Sequence, residues 1–271
     1  MAAIDLTKLD QQIRELLESA EDPLVFQRKF HSILEFYHRY SHRKQKDAMP
    51  ISFMRHYELP GKVLPYIQGQ LRPLAHTDPE NALKIVQQLW QDDYFEARDT
   101  AASLLGQIPV DYKEQVLGLI IQWINMPLDR AVVESVFTKT NKTILEKAPQ
   151  EWKNLIEKLL HGKGIQEKRM GLNALARSIP TSPSDDLPEI FSWVRTFLID
   201  PDQTLDANLR SVVAALTNRS SNETAYLLRE VLADSSDLHV GRRTRLYLEF
   251  FDEPAQKRLL DAIKRQVILP E

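Results

Sequence analysis

The sequence predicts an all-α protein, a HEAT-like array of helical hairpins wound into a single curved solenoid. Three observations carry that expectation. Apolar residues recur at helical spacing along nearly the whole chain of 271 residues. The 15 prolines sit mostly at helix starts or just past helix ends, and 8 glycines are too few for a hairpin-rich β protein. A two-helix unit also repeats, with an arginine near the start of each second helix at Arg98, Arg130, Arg169, Arg210 and Arg243. Intervals of roughly 32 to 41 residues between them match helical-hairpin repeats.

The clearest unit is residues 78–109. Asp78 can cap a helix that has Pro79 in its first turn, where a missing N–H costs nothing. Ala82, Ile85, Val86, Leu89 and Trp90 form its apolar face. A second helix carries Phe95, Ala102, Leu105 and Ile108, and Pro109 ends the pair. Neither stripe can be buried alone, so each pair needs neighbours of the same kind. Upstream, residues 7–19 read as a short helix on Leu9, Ile13, Leu16 and Leu17. Pro23 opens a longer one to about Tyr40, facing Phe26, Phe30, Ile33, Leu34 and Tyr37 inward, and residues 57–65 lead into a helix over 67–74. Downstream, 112–125 pairs with 128–145, 151–160 with 166–179, 187–198 with 205–216, and 223–232 with 240–251, while 254–267 closes the array. The expected organisation is a helical cap over 1–77 continuous with hairpin repeats over 78–271.

The totals exclude several classes. With no cysteine there are no disulfides and no thiolate metal sites. A net charge of -3 gives no global pull towards nucleic acid, although a local basic face is compatible with it. No basic stretch followed by an apolar run opens the sequence, and no window approaches a membrane-spanning apolar length, so a cytoplasmic protein without membrane partners is expected. Gly61-Lys62 lacks the flanking residues of a phosphate loop, and no cofactor motif is present. His31, Glu35, His38 and His42 share one helical stripe opposite the apolar face. That stripe reads as solvated rather than as a metal site, and the basic turn 42–46 reads as a solvated connection.

The stretch LWQDDYFEARDTAASLLGQIP (89–109), preceded by YELPGKVLPYIQ (57–68), resembles the DNA alkylation repair family of HEAT-like alkylpurine DNA glycosylases, over about residues 54–248. That resemblance implies a Trp-x-x-x-Asp pair on one inner helix, where this chain has Arg130 and Glu134. It implies a Trp-x-x-Arg pattern on the next, where Gln166 replaces the Trp and Arg169 remains. A last stacking Trp would fall near Ala214. The aromatic clamp for a cationic base is therefore missing, and Trp90, Trp123, Trp152 and Trp193 all fall on first helices, where they read as packing.

Two sets of polar residues remain for function. The arginine column reads first as a ladder paired with nearby acids (Asp93, Asp129, Glu167, Asp206), and second as a phosphate groove. At the far ends of the second helices lie residues 138–143, Arg177-Ser178 and 217–220, mixing hydroxyls, amides and cations of the kind that contact phosphate. The expectation is a non-catalytic member of the resembled superfamily that binds DNA backbone through Lys139, Lys142, Arg177, Arg210 and Arg219, with no cofactor and no metal. A protein–protein scaffold is the alternative. A glycosylase using Glu134 and Arg169 is the second.

Overall fold

The computed structural model describes residues 5–39, 54–126, 128–181, 184–200, 203–235 and 237–268. It is helical throughout its regular elements, as the periodicity predicts, and no helix among the described residues is long and apolar enough to cross a membrane. The basic turn 42–46 and His42 lie outside the described residues. The chain divides into two compact units, Met1–Trp152 and Lys153–Glu271.

The first unit holds α1 (Leu6–Leu17), α2 (Pro23–His38), α3 (Val63–Thr77), α4 (Pro79–Trp90), α5 (Phe95–Leu105), α6 (Lys113–Ile124), α7 (Arg130–Lys139), α8 (Lys142–Lys147) and the start of α9 (Pro149–Leu160). Capping follows the sequence signals. The Asp22 carboxylate accepts from the Leu24 and Val25 N–H groups ahead of Pro23, Asp78 accepts from Asn81 N–H, and Asp129 from Ala131 N–H. Helices α3, α5 and α7 pack side by side, with α4 laid against α3 and α5. Trp90 of α4 and Trp123 of α6 stack with ring centres 3.7 Å apart and planes 6° from parallel. Both indoles are buried, so the expected packing role holds.

One expected helix is broken. The stretch 128–145 divides into α7 and α8 at Thr140 and Asn141, both buried. The cause is a close approach by the end of α5. Gly106 follows α5 so tightly that a Cβ there would stand 1.8 Å from the Lys139 carbonyl oxygen. Thr143 then donates its backbone N–H and its hydroxyl to the Gly106 carbonyl, at 3.2 Å and 2.7 Å. The break gives the last turn of α5 the donors it lacks.

The second unit continues with α10 (Ile165–Ser178), α11 (Leu187–Ile199), α12 (Asp206–Arg219), α13 (Ser221–Asp234), α14 (Leu238–Tyr247) and α15 (Glu253–Ile268). It is built in two layers. Helix α12 packs between α10 and α14, and α13 packs between α11 and α15. Gly171 lets α10 press onto the Leu160 backbone at the end of α9. The layers are pinned by Arg243 of α14, which is buried. Its guanidinium donates to the Phe197, Leu198 and Asp200 carbonyls at the end of α11, at 2.8 to 3.1 Å, and pairs with Asp206 at 2.8 Å. Those carbonyls are the ones a helix end leaves without partners.

Candidate nucleic-acid interface

In the first unit the polar residues of α7 separate into two sets. Arg130, Glu134 and Thr138 are exposed. Ser135 and Lys139 instead turn to Asp99 of α5, a buried carboxylate that accepts from Ser135 Oγ at 2.6 Å, Lys139 Nζ at 2.6 Å and Gln68 Nε2 of α3 at 2.8 Å. Buried carboxylates need such compensation. The Lys139 charge is thus engaged with Asp99, whereas Lys142, the first residue of α8, is exposed.

The hydroxyls at the far ends of the second helices are spent locally. Thr138, Thr140, Ser178 and Thr217 each donate to the carbonyl four residues back, at 2.6 to 2.9 Å. A phosphate oxygen needs a donor, and a hydroxyl whose proton is already committed can offer only lone pairs. What remains for an anion is the cations and amides.

The second unit gathers these on one layer. Helices α10, α12 and α14 carry eight lysine and arginine side chains against two carboxylates. Both carboxylates are occupied: Glu167 caps α10 through the Gly164 N–H, and Asp206 pairs with Arg243. Arg169 is half-buried and donates to Gln166 Oε1 at 3.2 Å. Arg177 is half-buried in the last turn of α10, and Arg219 is exposed as the last residue of α12, where a cation complements the helix dipole. Arg210 is exposed, pairs with Glu249 and lies over the Phe250 ring. An exposed pair of this kind is worth about 0–1 kcal/mol, so a phosphate can displace it. Asn208 of α12 donates to Asn173 of α10 at 2.9 Å, and the small side chains of Ala207 and Ser211 beside it are exposed. Arg242 and Arg245 of α14 are exposed on the same layer. They were not among the expected phosphate-binding residues, although the run GRRTR signals them.

The arginine column therefore serves more than one purpose. Arg98 donates to the Asp92 carbonyl at 2.8 Å and lies over Trp90, and Arg243 is a buried clamp; Arg130 and Arg210 are exposed. Of the acids expected beside them, Asp206 reaches forward to Arg243 of the next second helix, Asp129 caps α7 and Glu167 caps α10.

Of the histidine stripe, Glu35 and His38 are exposed as expected, whereas His31 is half-buried. His31 joins Asp92 through Nε2 at 2.7 Å and the Tyr57 hydroxyl through Nδ1 at 2.8 Å, while His38 Nδ1 meets the Tyr57 carbonyl. Tyr57, in the segment before α3, thus reaches both His31 and His38, a contact that periodicity within α2 could not reveal. Tyr57 stacks on Tyr94 with centres 4.4 Å apart, and an open cleft of about 400 Å³ lies beside them. Burial, more than any neighbouring charge, drives the Tyr57 hydroxyl far above the usual tyrosine range. Burial pushes Asp92 upward too, but hydrogen bonds from His31, the Tyr94 N–H and Gln27 outweigh it and hold the carboxyl below its ordinary value. Among the described residues no group of histidines and carboxylates is arranged to hold a metal.

Helices packed in pairs, with the α10, α12 and α14 layer of the second unit rich in lysine and arginine, define an all-α helical protein. A family model described as DNA alkylation repair enzyme matches residues 36–237, from the last turn of α2 to the residue before α14. The chain belongs to that family. No curated protein and no solved structure matches it.

Proposed function

We propose that this protein binds nucleic-acid backbone through the basic layer of α10, α12 and α14 and does not excise bases. The observation that carries the reading is the imbalance on that layer once the buried Arg243–Asp206 pair is set aside, with Lys168, Arg169, Arg177, Arg210, Arg219, Arg242 and Arg245 against the single carboxylate of Glu167, in a chain of net charge -3. Membership in a DNA alkylation repair family makes DNA the first partner to try. The positions where the family resemblance places stacking tryptophans hold Arg130, Gln166 and Ala214, and no aromatic ring substitutes for them there. A cationic base would lose about 0.5–2 kcal/mol of attraction for each missing ring. Glu134 and Arg169 remain as the residues a glycosylase would use.

The test is fluorescence anisotropy with a labelled duplex, with and without an abasic analogue, at two salt concentrations. Binding should weaken as salt rises, because each neutralised phosphate releases counterions. Arg210→Glu with Arg219→Glu should weaken it about tenfold or more and flatten the salt slope by about 1 for each phosphate no longer neutralised. Lys139→Glu is a poor probe, since it would set a second carboxylate against buried Asp99. Absence of binding at low salt would overturn the reading and leave the protein–protein scaffold. Release of an alkylated base that disappears in Glu134→Gln would establish the glycosylase instead.

A further inference from the structure

The opposite layer of the second unit carries a feature that nucleic-acid binding does not use. Between α13 and α15 runs a groove of about 500 Å³, within the range of pockets that hold ligands. Its apolar lining comes from Leu232, which is buried, and from the small side chains of Ala233 and Ala262. Tyr226 stands at its edge with 61 % of its surface exposed. Arg229, Arg258 and Arg265 line the walls, and none of the three has an ion-pair or hydrogen-bond partner among the described residues. The carboxylates that also line the groove are both engaged. Glu230 meets Arg195 at 3.4 Å and accepts from the Tyr226 hydroxyl, and Asp261 faces Lys264 at 3.8 Å.

Exposed tyrosine and unpartnered arginine around an apolar trough are the composition of a protein-binding hot spot. We propose that this groove docks an acidic amphipathic segment of a partner protein. An apolar side chain of that segment seats on Leu232, Ala233 and Ala262, and flanking carboxylates meet the arginine forks, which match carboxylate geometry in bidentate fashion. A phosphate backbone suits the site less well. It has nothing to place on the apolar side chains of Leu232, Ala233 and Ala262.

The probe is a fluorescein-labelled helical peptide with leucine at i, i+3, i+4 and i+7 and glutamate elsewhere, titrated with the full chain. Its counterpart, with lysine in place of every glutamate, reports non-specific adhesion. The acidic peptide should bind and the lysine peptide should not. Arg229→Glu with Arg265→Glu should weaken binding about tenfold or more, a loss equivalent to about 1.4 kcal/mol. Ala233→Trp fills the trough without changing charge and should weaken it comparably. Arg210→Glu with Arg245→Glu, on the other layer, should leave peptide affinity unchanged, whatever it does to the duplex. The proposal is overturned if the acidic peptide fails to bind, if the lysine peptide binds as well, or if both groove variants bind like the parent. A groove variant that loses the labelled duplex while keeping the peptide would assign the groove to nucleic acid.

Discussion

Glu96 shows how a single residue sets a pH dependence. It lies buried on α5, where one carboxylate oxygen accepts from the Tyr57 N–H at 2.8 Å and the other has no hydrogen-bond partner. Burial raises its pKa above the ordinary 4.5, against the lowering effect of the Tyr57 bond. The folded state therefore holds the Glu96 proton more tightly than the unfolded state does. Its contribution to stability is most favourable in acid and declines as pH rises from the ordinary value through the raised one. Glu96→Gln should gain in stability relative to the parent across that window, read as the difference in Tm at a series of pH values. A difference that is flat with pH, or that shrinks as pH rises, would show that Glu96 is not held protonated by the fold. The sequence places Glu96 on a helix but says nothing of Tyr57 reaching across 39 positions to meet it. Lys139 teaches the same lesson. Its place on α7 was legible, whereas its commitment to Asp99 depends on which helix lies opposite, and no single-helix pattern encodes that.

For elements, the agreement between sequence and structure is close wherever a cap and an apolar stripe coincide. Helices α2 and α4 start at Pro23 and Pro79 behind their aspartate caps, as the signals require. The disagreement falls at the α7–α8 break, where the local pattern is still helical and a neighbour overrides it. Gly106 is the test of that account. Its backbone is ordinary, with φ of -67°, so the glycine is needed for proximity and not for conformation. Gly106→Ala should cost about 1–3 kcal/mol, as overpacking of a tight contact does. Thermal or urea unfolding would measure it, and a loss below a few tenths of a kcal/mol would mean that α5 and α7 part without cost. Thr143→Val, which removes only the hydroxyl bond to the same carbonyl, should cost less, about 0.5–1.5 kcal/mol.

On the scale of the whole molecule, composition gave the class and concealed the surface. A net charge of -3 averages a strongly basic layer in the second unit with acidic surface elsewhere. Aligning second helices on their arginines brought the basic layer partly into view, through Arg169, Arg177, Arg210 and Arg219. The groove between α13 and α15 stayed hidden, because it depends on which faces of two helices lie side by side, and no single-helix pattern encodes that. The Trp90–Trp123 stack bears on how such a molecule can be watched. Two indoles in near-parallel register at 3.7 Å couple their electronic transitions, so the pair acts as one chromophore with a signature distinct from that of Trp193 in the second unit. Near-ultraviolet dichroism thus contains a native optical gauge of α4 against α6, and it reports loosening of the first unit without any attached label.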